Sequence, residues 1–251
     1  MRYSLNKLAI SACLLATVAT GSTAGAAMVA RGQGAGRDAT VAFSTVGDRL
    51  HITLTNSSTG DVLVPSDVLT GVFFDISGPA LALSRESAVL GEGSQVHWGS
   101  AEMGGGVGGE WAYRAVLEGA PAGADYGISA AGLGLFGPHD SFPGANLDGQ
   151  NGPQGLNFGL LSAGDNTLTG NSPVTGGTPL VQSSVVFTLS GLPAGFDLGS
   201  IGNVTFQYGT SLGEPSLPAL IISVPAPGPA GVLAGGLLVL GRRRRGAARA
   251  V

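Results

Sequence analysis

The chain has 251 residues, of which 11% are charged, 44 are glycine and one is cysteine, room for one ordinary domain plus targeting segments. Between residues 27 and 223, sixteen carboxylates face five arginines and no lysine, a net of −11 hidden inside an overall −4. A body this acidic repels phosphate backbones and anionic bilayers, which argues against nucleic acid or a lipid surface as its partner.

The N-terminus carries the three parts of a secretory signal. Arg2 and Lys7 supply positive charge, "LAISACLLATVAT" (8–20) is apolar, and Ala24-Gly25-Ala26 forms an A-x-A site that predicts cleavage before Ala27. The lone cysteine, Cys13, sits inside the apolar run. "ISAC" (10–13) has the look of a lipoprotein box, but the apolar core follows the cysteine instead of preceding it. The mature chain then holds no cysteine, hence no disulfide, thiolate nucleophile or thiolate-bound metal.

The body predicts strands. "TVAFSTV" (40–46) is expected as the first, followed by "RLHITLTN" (49–56), where Leu50, Ile52 and Leu54 alternate with polar residues. "TGVFFDIS" (70–77) and "EWAYRAVL" (110–117) alternate less cleanly. "SVVFTLS" (184–190) places Val185, Phe187 and Leu189 on one face. "NVTFQY" (203–208) turns Val204, Phe206 and Tyr208 inward, with Asn203, Thr205 and Gln207 outward. Turns such as "NSSTGD" (56–61) and "GLPAG" (191–195) separate them, and no stretch keeps a helical period. The expectation is an all-β, antiparallel β-sandwich. The Gly-rich region 118–180 is harder to read; its islands "GISAAGLGLFG" (127–137) and "GLNFGLLSAG" (155–164) are expected as hairpin strands on one edge.

Chemistry-bearing motifs are sparse. "GGGVGG" (104–109) spells G-x-G-x-x-G, yet a predicted strand follows it where phosphate cradling needs a helix. His139, Asp140 and Ser141 are adjacent, and side chains on consecutive residues diverge instead of forming a triad. His51, His97 and His139 are widely spaced and lack a zinc motif. "NLDGQNG" (146–152) offers oxygen ligands without the spacing of a calcium loop, so calcium through an irregular site is the one cofactor left open. Asp140 and Asp148 could serve as a glycosidase pair only if the fold brought them together. Trp98 and Trp111 could stack on sugar rings; Trp111 shares a face with Tyr113 and Leu117 and is expected in the core, while the pattern leaves the place of Trp98 open. The body is read as non-enzymatic.

The chain closes with "VPAPGPAGVLAGGLLVLGRRRRGAARAV" (224–251). The apolar run 229–241 is 13 residues, about 20 Å as a helix against a hydrocarbon core of about 30 Å. Pro225, Pro227 and Pro229 keep the preceding segment extended. Arg242, Arg243, Arg244 and Arg245 form a stop-transfer cluster held on the cytoplasmic side. An extended segment above a short anchor is what a membrane protease can grip.

This tail resembles the sorting signal of PEP-CTERM proteins, in the variant where Val224-Pro225-Ala226-Pro227-Gly228 stands for the usual Val-Pro-Glu-Pro. The stretches 67–78, 155–166, 179–193 and 203–219 are similar to exosortase-dependent surface proteins. The resemblance implies three parts: a signal peptide (1–26), a β-sandwich surface domain (27–223) and a sorting tail (224–251), with its motif at 224–229 and its apolar helix at 229–241. It also implies export by the Sec machinery, transient residence in the inner membrane, and cleavage by an exosortase-type protease. Display at the cell surface or in an exopolysaccharide matrix would follow. The alternatives are a secreted carbohydrate-binding module and a permanently tail-anchored envelope protein.

Overall fold

A computed structural model describes residues 27–224. Among these the chain is all-β, with short 3-10 turns and no α-helix. The strands are β1 (Ala27–Gly34), β2 (Arg37–Val46), β3 (Arg49–Asn56), β4 (Leu69–Ile76), β5 (Ser84–Leu90), β6 (Gln95–His97) and β7 (Ala112–Ala115). They continue with β8 (Tyr126–Ser129), β9 (Leu160–Leu161), β10 (Leu180–Gln182), β11 (Ser184–Ser190), β12 (Ile201–Tyr208), β13 (Ser216–Pro218) and β14 (Leu220–Val224). One sheet has the order β14-β1-β2-β3-β11-β5; the other runs β13-β12-β4-β9-β10-β6, with β8 and β7 extending from β4.

The first sheet forms for local reasons. Ala35-Gly36 joins β1 to β2 with both residues at positive φ, as a two-residue type I′ turn requires. Along β2 and β3, Ala39, Val41, Phe43, Leu50, Ile52 and Leu54 are buried, while their sequence neighbours are less so. That alternation builds one wall of the core. Phe43 meets Phe74 of β4 edge-on, ring centroids 5.2 Å apart at 68°, so the two sheets pack face to face. The chain changes sheets twice in a single residue, at Ser183 between β10 and β11 and at Ala219 between β13 and β14.

Several sequence expectations are corrected. The first strand is β1, ahead of 40–46, which forms the later part of β2. Small inward residues (Ala30, Gly32) leave β1 little hydrophobic signal. Thr205 and Gln207 are buried, because β12 is covered on both faces. The turn after β12 folds over Gln207, whose side-chain amide donates to the carbonyls of Tyr208, Ser211, Glu214 and Pro215. At Val116 the backbone enters the left-handed region (φ 56°), and Leu117 then joins a cluster separate from Trp111 and Tyr113.

Region 118–180 does not form edge hairpins from its two islands. The first supplies most of β8, which pairs with β7 and β4. The second supplies only the two-residue β9, inside the sheet and parallel to β10, so this sheet is mixed. The loops between pack outside the second sheet. Phe73, Leu117 and Phe136 form one satellite cluster there; Val68, Leu156, Val174 and Leu180 belong to another. Covered on both sides, β4 is buried at every position but Asp75, which explains its weak alternation.

Candidate functional site at the paired chain ends

Strands β1 and β14 are antiparallel neighbours, in the register Ala27↔Val224, Met28↔Ser223, Val29↔Ile222 and Ala30↔Ile221. The residue predicted to begin the mature chain therefore lies opposite the first residue of the sorting motif. Between them they close one end of the same sheet edge. Among the described residues β14 is the outermost strand of its sheet, and Leu220, Ile221 and Ile222 are 79%, 48% and 52% exposed. An unpaired apolar edge of this kind is a surface that other molecules or an interface can occupy.

Of the residues singled out by sequence, Ala24, Ala26, Pro225, Ala226, Pro227, Gly228 and Arg242 to Arg245 lie outside the described residues. So do the signal peptide and the expected anchor helix. Among the described residues no helix is long and apolar enough to cross a membrane.

The body motifs disperse. "GGGVGG" becomes a loop with Gly104 and Gly105 at positive φ, ending in the one-turn 3-10 segment Gly108–Glu110 before β7. His139 and Asp140 lie on another 3-10 turn, where the Asp140 carboxylate accepts the Gly137 N–H. Ser141 buries its hydroxyl without a hydrogen-bond partner among the described residues. No hydrogen bond joins His139, Asp140 and Ser141 to one another. His51 faces Thr188 across β3 and β11, and His97 bonds to Gln182, so the three histidines stand apart. Among the described residues no three His, Cys, Asp or Glu side chains gather as a metal group.

Trp111 is fully buried against Phe187, ring centroids 5.0 Å apart, as its place in the pattern predicted. Trp98 is 40% exposed beside the edge strand β6, with its backbone in the left-handed region (φ 57°) and its ring 5.6 Å from His97. A tryptophan at positive φ is strained and is held there by its surroundings.

Sequence reasoning missed Glu110. Its side chain is buried, and its carboxylate accepts the N–H groups of Leu147 and Asp148. Burial pushes this carboxyl above its ordinary range, the Leu147 N–H offsets part of the rise, and the Asp148 charge adds to it. Asp148 in turn accepts from the Asn157 side chain and the Gln150 N–H, so "NLDGQNG" is tied to the body through Glu110. Beforehand Glu110 was only the first residue of the weakly alternating predicted strand 110–117, and nothing in that pattern marks it for burial.

No family model, curated protein or solved structure matches this chain.

Proposed function

We propose that the protein is an exported, non-enzymatic surface or matrix protein that is processed at both ends and leaves an intact β-sandwich behind. The observation that carries this reading is the Ala27↔Val224 register. Adjacent termini are common in domains; here the pairing falls on the two positions that the sequence marks for cutting. Removal of the signal before Ala27 and of the tail after Val224 takes nothing from the strands of the described residues 27–224. The exposed Leu220, Ile221 and Ile222 lie beside the point where the tail departs, which supports residence at a membrane before release. The processing motif Val224 to Gly228 and the Arg242–Arg245 cluster make an exosortase-type protease the partner. In the native host, Pro225→Ala combined with Pro227→Ala leaves the full-length tail on a membrane-bound protein, while the wild type is trimmed and released. Equal trimming of both would refute the motif assignment.

A second reading, a carbohydrate-binding module, is favoured by the exposed, strained Trp98. Affinity electrophoresis in gels carrying host polysaccharide tests it: retardation that disappears in Trp98→Ala supports it, and identical mobility with and without polysaccharide removes it.

A further inference from the structure

At the β6 edge of the second sheet three uncharged side chains form one hydrogen-bonded group. Val96 packs against the main core, so its strand neighbours Gln95 and His97 point to the opposite face. Gln182 of β10 stands opposite Gln95 in register. The Gln182 amide nitrogen donates to the carbonyls of Ala163 and Asp165, at 3.1 and 3.2 Å, which spends both of its hydrogens and fixes which way the amide faces. Its oxygen therefore faces β6, where it accepts from Gln95 Nε2 at 3.0 Å and from His97 Nε2 at 2.8 Å. His97 accordingly carries its proton on Nε2, and in the neutral imidazole Nδ1 is an acceptor. Gln95 is exposed and keeps its carbonyl oxygen and one N–H for another molecule.

Trp98 follows this group directly. Its backbone leaves the strand conformation (φ 57°), and its indole lies beside the His97 ring, centroids 5.6 Å apart. Gly176 backs the indole: a Cβ there would stand 3.6, 3.8 and 3.9 Å from Nε1, Cε2 and Cδ1. Trp98 nonetheless stays 40% exposed. The result is an aromatic ring bordered by donors and acceptors, none of them charged, on a body of net −11. A sugar hydroxyl both donates and accepts, and the C–H face of a pyranose is flat and apolar enough to stack on an indole. The acidic body repels an anionic glycan and is indifferent to a neutral one. We propose that Trp98, Gln95 and His97 bind a neutral pyranose unit of a glycan, with the indole on its C–H face and Gln95 and His97 on its hydroxyls. This rests on the carbohydrate-binding reading above and adds to it the class of sugar and the polar half of the site.

Trp111 is fully buried, so a change in indole fluorescence on adding sugar reports Trp98. The test titrates the protein purified from its host with cellohexaose, maltohexaose, mannohexaose and tri-galacturonate at physiological ionic strength. The expected result is a saturable response to at least one neutral hexaose and none to tri-galacturonate. The response disappears in Trp98→Ala, and affinity falls about tenfold or more in Gln95→Ala and in His97→Phe. Gln95 is exposed, and His97→Phe keeps a ring beside Trp98, so both variants are expected to melt with the wild type. Tri-galacturonate binding as tight as any neutral hexaose, neutral binding unaffected by Gln95→Ala and His97→Phe, or no response to all three neutral hexaoses would each overturn the proposal. If host polysaccharide still retards the wild type in the gel, only this proposal has then failed; if retardation is absent too, the carbohydrate-binding reading falls with it.

Discussion

Gly32 of β1 lies directly against Phe206 of β12: a Cβ at position 32 would stand 2.9 Å from the Phe206 ring and 3.1 Å from the Pro218 carbonyl oxygen. This close approach is what lets the terminal edge of the first sheet fold onto β12 and β13 of the second. Gly32→Val is expected to lower stability by about 1–3 kcal/mol through overpacking. Thermal melting of the variant checks it, and an unchanged melting temperature would mean that the edge can open without loss.

Phe187 of β11 sits between Trp111 and Phe142, at 5.0 and 5.4 Å between ring centroids. It joins the first sheet to the segment that leads into β7 and to the loop that follows β8. Phe187→Ala removes both contacts and leaves a cavity, for an expected loss of about 3–5 kcal/mol in chemical denaturation. A loss below about 1 kcal/mol would show that this part of the core is not closely packed.

Arg37 and Arg31 offer a comparison between two ion pairs. Arg37 is largely buried, pairs with Asp67, donates to the Ser66 carbonyl and lies 5.6 Å over the Tyr208 ring. Arg31 is exposed, and its pair with Asp38 is open to solvent on the arginine side. Arg37→Ala is therefore expected to cost about 1–3 kcal/mol, while Arg31→Ala changes little. Paired denaturant titrations at low and high salt separate the two.

Two buried carboxyls set the acid side of stability. Burial raises the pKa of Glu110 and of Asp165; the Val62 N–H partly offsets the rise at Asp165, and the Asp61 charge adds to it. For an acid whose folded pKa is raised, the folded state holds the proton more tightly. Its contribution is fully present below the unfolded pKa and is lost as pH rises through the folded value. Stability is accordingly expected to increase as pH falls from neutrality toward the ordinary carboxylate range. Asp38 acts oppositely: its hydrogen bond to Arg31 lowers its pKa, and that contribution is lost as pH falls through the lowered value. Urea midpoints across pH 4–7 should show the rise, and Glu110→Gln with Asp165→Asn should flatten it. A midpoint that falls steadily on acidification would contradict this assignment.

How much of this was legible beforehand depended on where each strand's second face lies. β3 and β11 have the ends expected; in β3 one face is core and the other is more open, and alternation reports that, whereas in β11 Ser184 and Thr188 on the polar face are buried too. β12 and β4 are covered twice, so polar Thr205 and Gln207 are buried among hydrogen bonds that no period-two pattern can announce. β9 is two residues long and owes its place to neighbours distant in sequence. The processing motif was readable as words, but its partner Ala27 was not: register between the first and last strands is a tertiary fact.

The central claim is that the chain is cut at both of its termini, at the one end of the β1–β14 pair where Ala27 faces Val224. The most direct measurement is the intact mass of the protein recovered from its native host, with and without the host's membrane sorting protease. The account predicts a species that begins at Ala27 and ends near Val224 in the parent, and one that keeps Arg242 to Arg245 when the protease is deleted. A tail present in both strains would contradict it and make the protein a permanently anchored one.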